Sequence, residues 1–207
     1  MDVLKTAMTA ARARNARVIL PEMEDPRVAA AADQLRATGL AQPLTLADAR
    51  PAAEYVDLLL ANRPGLKPAL AQRMLEKPLI RAAAMVAAGE AEAMVAGAAS
   101  ATRRVIEAAA LAIGMNEGVQ TPSSFFLMIL PDGRNFIFAD CAVNTDPDAA
   151  QLADIARASA ASATALLGEA RVALLSYSTG ASGTGASVDR VLAAAQATGF
   201  PGPVQAD

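Results

Sequence analysis

Apolar positions along the chain alternate between short continuous runs and a helical recurrence. Leu4, Met8 and Ala11 share one face and predict a helix over 2–14, with Arg12 and Arg14 near its end, where cations suit the helix dipole. A run at 17–20 predicts a strand. Asp25 and Pro26 then supply an N-cap and first helical residue for a helix to about Thr38, stopped by Gly39. Next come a strand at 42–46, a helix at 52–60, helices opened by Pro68 and Pro78, a buried strand at 91–96 and a helix at 103–113. Runs at 123–130 and 135–139, joined by the turn 131–134, predict an antiparallel hairpin, and a hairpin inside a βα alternation implies a mixed sheet. Asp146 and Pro147 are placed to cap an Ala-rich helix over about 148–167. The run 172–177, polar only at Ser176, predicts a buried strand, and Val188, Val191, Leu192 and Ala195 return to helical spacing. After Gly199, residues 204–207 look like the start of another strand. The break in pattern at CAVNTDPD divides the chain into a first α/β domain, 1–143, and the N-terminal part of a second, 144–207.

Two places repeat the order strand, small polar loop, helix. At 178–185, Gly180, Gly183 and Gly185 allow close backbone approach, and Ser178, Thr179, Ser182 and Thr184 add hydroxyl donors before a helix starting near Ser187. Free amides and the positive dipole end of that helix could hold a phosphate without any Lys. The spacing G-x-x-G-x-G matches neither the dinucleotide fingerprint nor a P-loop, and a merely flexible connection is the competing reading. At 98–102 small residues lead to a helix with Arg103 and Arg104 in its first turn, where the dipole disfavours cations. Such a pair either meets an anionic ligand or forms an ion pair, Arg103 with Glu107. Arg63, in a loop, could also reach a substrate. Glu22, Glu24 and Asp25 crowd the end of the first strand, where capping and solvent exposure explain them more simply than metal ligation.

Composition narrows the chemistry. The 207 residues are 54% hydrophobic and only 3% aromatic, which suits Ala-rich helices on a sheet. A net charge of −3 offers no basic field for nucleic acid. The absence of His removes a Ser-His-Asp triad, a Cys-His pair and imidazole metal ligands. A single cysteine, Cys141, rules out an internal disulfide and points to a reducing, cytoplasmic setting; it is expected as a small buried side chain rather than a nucleophile. No apolar run reaches the roughly 20 residues of a membrane span.

Three stretches together resemble the phosphate acetyltransferase (phosphotransacetylase) family: PEMEDPRVAAAA (21–32), the span from AMVAGA (93–98) through PSSFFLM to FADCAVN (138–144), and LLSYSTGASGTG (174–185). The resemblance implies reversible acetyl transfer between coenzyme A and inorganic phosphate, with coenzyme A as substrate and no metal or redox cofactor. It implies a three-layer α/β/α fold with a mixed, mostly parallel sheet, like isocitrate and isopropylmalate dehydrogenases, an active site between two domains, and a cytoplasmic homodimer. Substrate contacts are expected from Ser178, Thr179, Gly180 and Ser182 for phosphate or pyrophosphate oxygens, from Arg103 or Arg104 for charge neutralisation, and from Asn144 at the domain junction. In many members an Arg stands at the position of Glu107, and Arg63 matches another cleft arginine only loosely. The family's Ser-Arg pair and proposed Asp base lie in a C-terminal segment with no counterpart here, so the catalytic residues are not identified and the 207-residue chain alone is expected to be inactive. A phosphate butyryltransferase, and a non-catalytic acetyl-CoA-sensing module of the kind fused to malic enzymes, are the alternatives.

Overall fold

The computed structural model describes residues 2–180 and 182–206. Contacts divide the chain into two compact units, Lys5–Met115 and Met1–Leu4 with Asn116–Asp207. The expected boundary at 143/144 falls inside the second unit, because the hairpin packs on the helix that follows it.

Most of helix α1 (Val3–Arg14) belongs to the first unit. Strands β1 (Arg17–Ile19), β2 (Gln42–Leu44) and β3 (Ala93–Met94) form a parallel sheet in the order β2-β1-β3, with Ile19 opposite both Leu44 and Met94. Parallel neighbours require crossovers. The first is α2 (Pro26–Thr38), N-capped by Asp25, whose side chain accepts from Arg27 N–H, and ended by Gly39 at φ 64°. The second contains α3 (Val56–Asn62), α4 (Pro68–Met74) and α5 (Pro78–Ala87); α4 and α5 open on prolines, whose missing N–H costs nothing in a first turn. The core centres on α5, which buries Ile80, Ala82, Ala83, Ala84 and Met85. Its small side chains let α6 (Thr102–Ala112) pack beside it, with Ala108, Leu111 and Ala112 buried. Tyr55 is wholly buried within this cluster because its hydroxyl is satisfied: it accepts from Arg50 N–H at 2.9 Å and donates to Glu90 Oε2 at 2.6 Å.

In the second unit β4 (Phe125–Ile129) and β5 (Asn135–Ala139) pair antiparallel, with Phe126 opposite Phe138. Among the described strands this hairpin is a sheet of its own, so the expected single mixed sheet is not formed. Helix α7 (Ala149–Leu167) packs on β5 and on α8 (Ala186–Thr198). Its N-cap is Asp148 rather than the expected Asp146 and Pro147: Asp148 accepts from Gln151 N–H while the Gln151 side chain accepts from Asp148 N–H, a capping box. The expected buried strand at 172–177 is reduced to one bridge, Leu175 with Val204. Pairing on that one edge buries Leu174 against Ala153, Ala156, Ala194 and Ala195 but leaves Leu175 60% and Tyr177 63% exposed. No helix of the described residues is long and apolar enough to cross a membrane.

Candidate functional site

The Ser/Thr/Gly loop is a folded turn braced by its own hydroxyls. Ser178 is 3% exposed; its Oγ accepts from Gly183 N–H at 2.7 Å and lies 3.1 Å from Ser182 Oγ. Ser182 in turn donates to Thr179 O at 2.7 Å, so the Ser178 proton is directed to Ser182. Gly183 must be glycine, since a Cβ there would lie 2.8 Å from Ser178 Oγ. Gly180, at φ 56°, donates to Pro203 O, and Thr179 Oγ1 accepts from Gln205 N–H at 3.0 Å, which ties the turn to the 203–205 segment. Tyr177 closes the far side by donating to Thr184 O at 2.6 Å. Helix α8 starts beyond Gly185 with no side-chain cap, and Thr184, Gly185, Ala186 and Ser187 are exposed. The amides at the start of α8 have no side-chain acceptor, and Thr179 is exposed with its hydroxyl donating to no partner among the described residues; exposed donors of this kind are anion-receptive.

Asn144 sits in a second braced turn of the same unit, organised by Asp140. Asp140 Oδ1 accepts from the Ser124 hydroxyl and from the Ala142 and Val143 amides at 2.9 and 3.2 Å; Oδ2 accepts from Asn144 N–H at 2.9 Å and from the Asn144 side chain. Asn144 Nδ2 also donates to Pro122 O at 2.8 Å. Burial pushes the Asp140 carboxyl pKa up, but the Ser124 hydroxyl, the Ala142 amide and the Asn144 side chain outweigh it and hold the group far below the usual carboxylate range. Cys141 is half-buried, with its thiol 3.4 Å from Ser124 Oγ. Arg190 on α8 pairs with Asp146 and donates to Pro147 O at 3.1 Å, fastening the first turns of α8 to the approach of α7. Neither the Asp140 nor the Arg190 contacts have a local signature in the sequence, since their partners are set by the turn and by packing.

Arg103 and Arg104 lie on α6 of the first unit. Arg103 Nε donates to Glu107 Oε1 at 2.7 Å in an exposed pair, whereas Arg104 makes no side-chain hydrogen bond or ion pair among the described residues. Arg63 is exposed at the end of α3. Of the acidic cluster, Asp25 is the helix cap, with its carboxyl lowered to about 2 chiefly by the Arg27 side chain, and Glu22 reaches the loop after β3. Among the described residues no group of Cys, Asp and Glu could hold a metal ion.

The profile of the family described as phosphate acetyl/butaryl transferase matches residues 47–199. The phosphate acetyltransferase of Pseudomonas aeruginosa is 37% identical over 201 residues, which are 84% of this chain and 28% of that protein. The phosphate acetyltransferase of Paracoccus denitrificans is 37% identical over 92% of this chain and 67% of its own length. The chain thus spans less than a third of the longer relatives it matches. A solved phosphotransacetylase from Staphylococcus aureus superposes with a TM-score of 0.86 at 31% identity, covering 99% of this chain and 73% of the other. One from Streptococcus pyogenes gives 0.88 at 26% identity, covering 98% and 72%. The mixed α/β architecture with its parallel sheet is that of these two structures.

Proposed function

This chain belongs to the phosphate acetyl/butaryl transferase family, and on that premise we propose that it serves the reversible transfer of an acetyl group between coenzyme A and inorganic phosphate. In the direction of acetyl-CoA synthesis, the coenzyme A thiolate attacks the carbonyl carbon of acetyl phosphate; a C–S bond forms, the C–O bond to phosphate breaks, and phosphate leaves with the electron pair. That chemistry needs a receptor for phosphate oxygens in both directions. Here the Thr179 hydroxyl and the amides from Thr184 to Ser187 receive them, Gly180 turns the loop towards them, and Ser178 and Ser182 hold its shape. For the anionic groups of the substrates, charge neutralisation is assigned to Arg103 or Arg104, and a substrate contact to Asn144, fixed by Asp140. We further propose an isocitrate dehydrogenase-like α/β/α layering, a cytoplasmic homodimer, and a reaction without metal or redox cofactor.

The observation that supports this reading most strongly is the uncapped start of α8 behind a hydroxyl-braced glycine turn, in a chain whose relatives carry the name of this activity. Calorimetric titration of the chain with coenzyme A, acetyl phosphate and inorganic phosphate tests it. Saturable binding of coenzyme A and of at least one phosphate ligand is expected; absence of binding for all three overturns the reading.

A further inference from the structure

The loop after β3 has the elements of an anion receptor, yet its anion comes from the protein itself. Gly97 and Ala98 N–H both donate to Glu22 Oε2 at 2.8 Å. Arg27 Nη2 donates to Ala98 O at 2.8 Å, so the segment around Glu22 grips the loop through both donor and acceptor groups. Glu22 Oε1 is buried and has no hydrogen-bond partner among the described residues, which leaves the carboxylate anchored through its other oxygen. Helix α6 follows without a side-chain cap, carrying Arg103 and Arg104 in its first turn. Residues 97–99 have side chains no larger than a methyl group, and the Gly97 and Ala98 amides both point at the Glu22 carboxylate.

We propose that Glu22 occupies the anion position of the β3–α6 loop, holding the Gly97 and Ala98 amides and excluding an external phosphate group from them. The inference deepens the reading given under the proposed function and rests on it for the identity of the excluded ligand: of two loops with similar small-residue composition, one is filled internally and only the loop before α8 is open to phosphate. A second anion placed on the same amides would meet the Glu22 carboxylate at contact distance, where like charges repel, and would have to displace two charge-assisted hydrogen bonds. Burial works to raise the Glu22 pKa, but the Ser100 hydroxyl and the amides of Gly97, Ala98 and Ala99 outweigh it and hold the carboxyl below its ordinary range, so it is charged at neutral pH.

The test follows amide resonances of the 15N-labelled chain during titration with inorganic phosphate at neutral pH. In the wild type, Gly97 and Ala98 are expected to stay in place. In Glu22→Ala they are expected to shift saturably, with phosphate binding at this loop at least about tenfold tighter than any in the wild type. An equal saturable response in wild type and variant overturns the proposal, and so does the lack of any response in the variant. Should Glu22→Ala not fold, the wild type alone decides: the Gly97 and Ala98 amide protons must move together as Glu22 titrates below its ordinary value of 4.5, and resonances that ignore that titration overturn the proposal. The amides at 184–187 report separately. If they fail to respond to phosphate while Gly97 and Ala98 behave as stated, the phosphate-loop assignment falls and the role of Glu22 stands.

Discussion

The loops after β3 and after the 172–176 segment are built from similar small residues and each precedes an uncapped helix, but they are braced by different chemistry. At 97–98 the backbone donors converge on a carboxylate from another part of the chain. At 178–183 the backbone donor of Gly183 is taken by a buried hydroxyl of the same loop, and the shape is completed by Ser182. A carboxylate brace fills the receptor it creates. A hydroxyl brace shapes the turn from behind and adds no charge, which leaves the following helix start attractive to an anion.

The largest expected effect comes from breaking the hydroxyl brace sterically. In Gly183→Ala the new Cβ would lie 2.8 Å from Ser178 Oγ and 2.9 Å from Ser178 Cβ, and Ser178 is itself only 3% exposed. Overpacking of this kind is expected to cost about 2–3 kcal/mol, read as a lowered midpoint in urea denaturation. The matched change in the other loop, Gly97→Ala, meets nothing nearer than 3.9 Å, so its cost comes only from a backbone at φ 113°. Ser178→Ala is expected to cost less than Gly183→Ala, about 1–2 kcal/mol, because it removes the acceptor of one partly buried N–H without adding a clash. If Gly183→Ala proves neutral, the brace is not rigid and the contrast between the loops disappears.

What could be read in the sequence, and what could not, follows the same division. Asp25, Pro26 and Gly39 fixed the ends of α2 because caps act within a few residues, and Pro68, Pro78 and the 131–134 turn were legible for the same reason. The Arg103–Glu107 pair was likewise readable from its spacing and is formed. The role of Glu22 was not: its partner lies 75 positions away and becomes a neighbour only because β1 and β3 pair side by side. The hydroxyls of the 178–182 loop read as ligand donors, since their number suggests function, while the inward turn of Ser178 depends on where Gly183 closes the loop. The 172–177 run reads as a buried strand because apolar content signals burial without saying how many neighbours a strand has.

Acid should separate the two braces. Glu22 has a folded pKa below its ordinary value, so its contribution to stability is fully present above pH 4.5 and is lost as pH falls through the folded value. Asp140 follows the same sign from its ordinary 3.8, so the Asn144 turn also loosens in acid. The 178–183 hydrogen bonds involve no titrating side chain. Amide-exchange protection, corrected for the intrinsic rate, is therefore expected to start falling at Gly97 and Ala98 as pH drops below 4.5, and at Asn144 only further into acid, below 3.8, while Gly183 holds. Parallel loss at all four sites would indicate global unfolding and remove the distinction.

Thr179→Val has a smaller expected cost, about 1 kcal/mol, since it takes one acceptor from an exposed position, the partner of Gln205 N–H. Its effect on phosphate affinity should exceed its effect on the denaturation midpoint; the reverse order would make Thr179 structural like Ser178.

The smallest stability effect is expected at Glu107. Its pair with Arg103 has side chains 88% and 57% exposed, and the cation precedes the carboxylate along the helix, the weaker orientation, so Glu107→Ala should change stability by less than about 0.5 kcal/mol. Its value lies in telling the two arginines apart. Arg103 is held by Glu107 and Arg104 is not, so removing Glu107 frees a guanidinium at the start of α6 without altering Arg104. If Arg103 is the anion contact, Glu107→Ala tightens phosphate binding and Arg104→Ala leaves it unchanged. If Arg104 is the contact, the pattern reverses: Arg104→Ala weakens binding and Glu107→Ala has little effect. With Glu22 holding Gly97 and Ala98, either arginine must meet the ligand by its side chain alone, so the affinity change should weaken as salt rises.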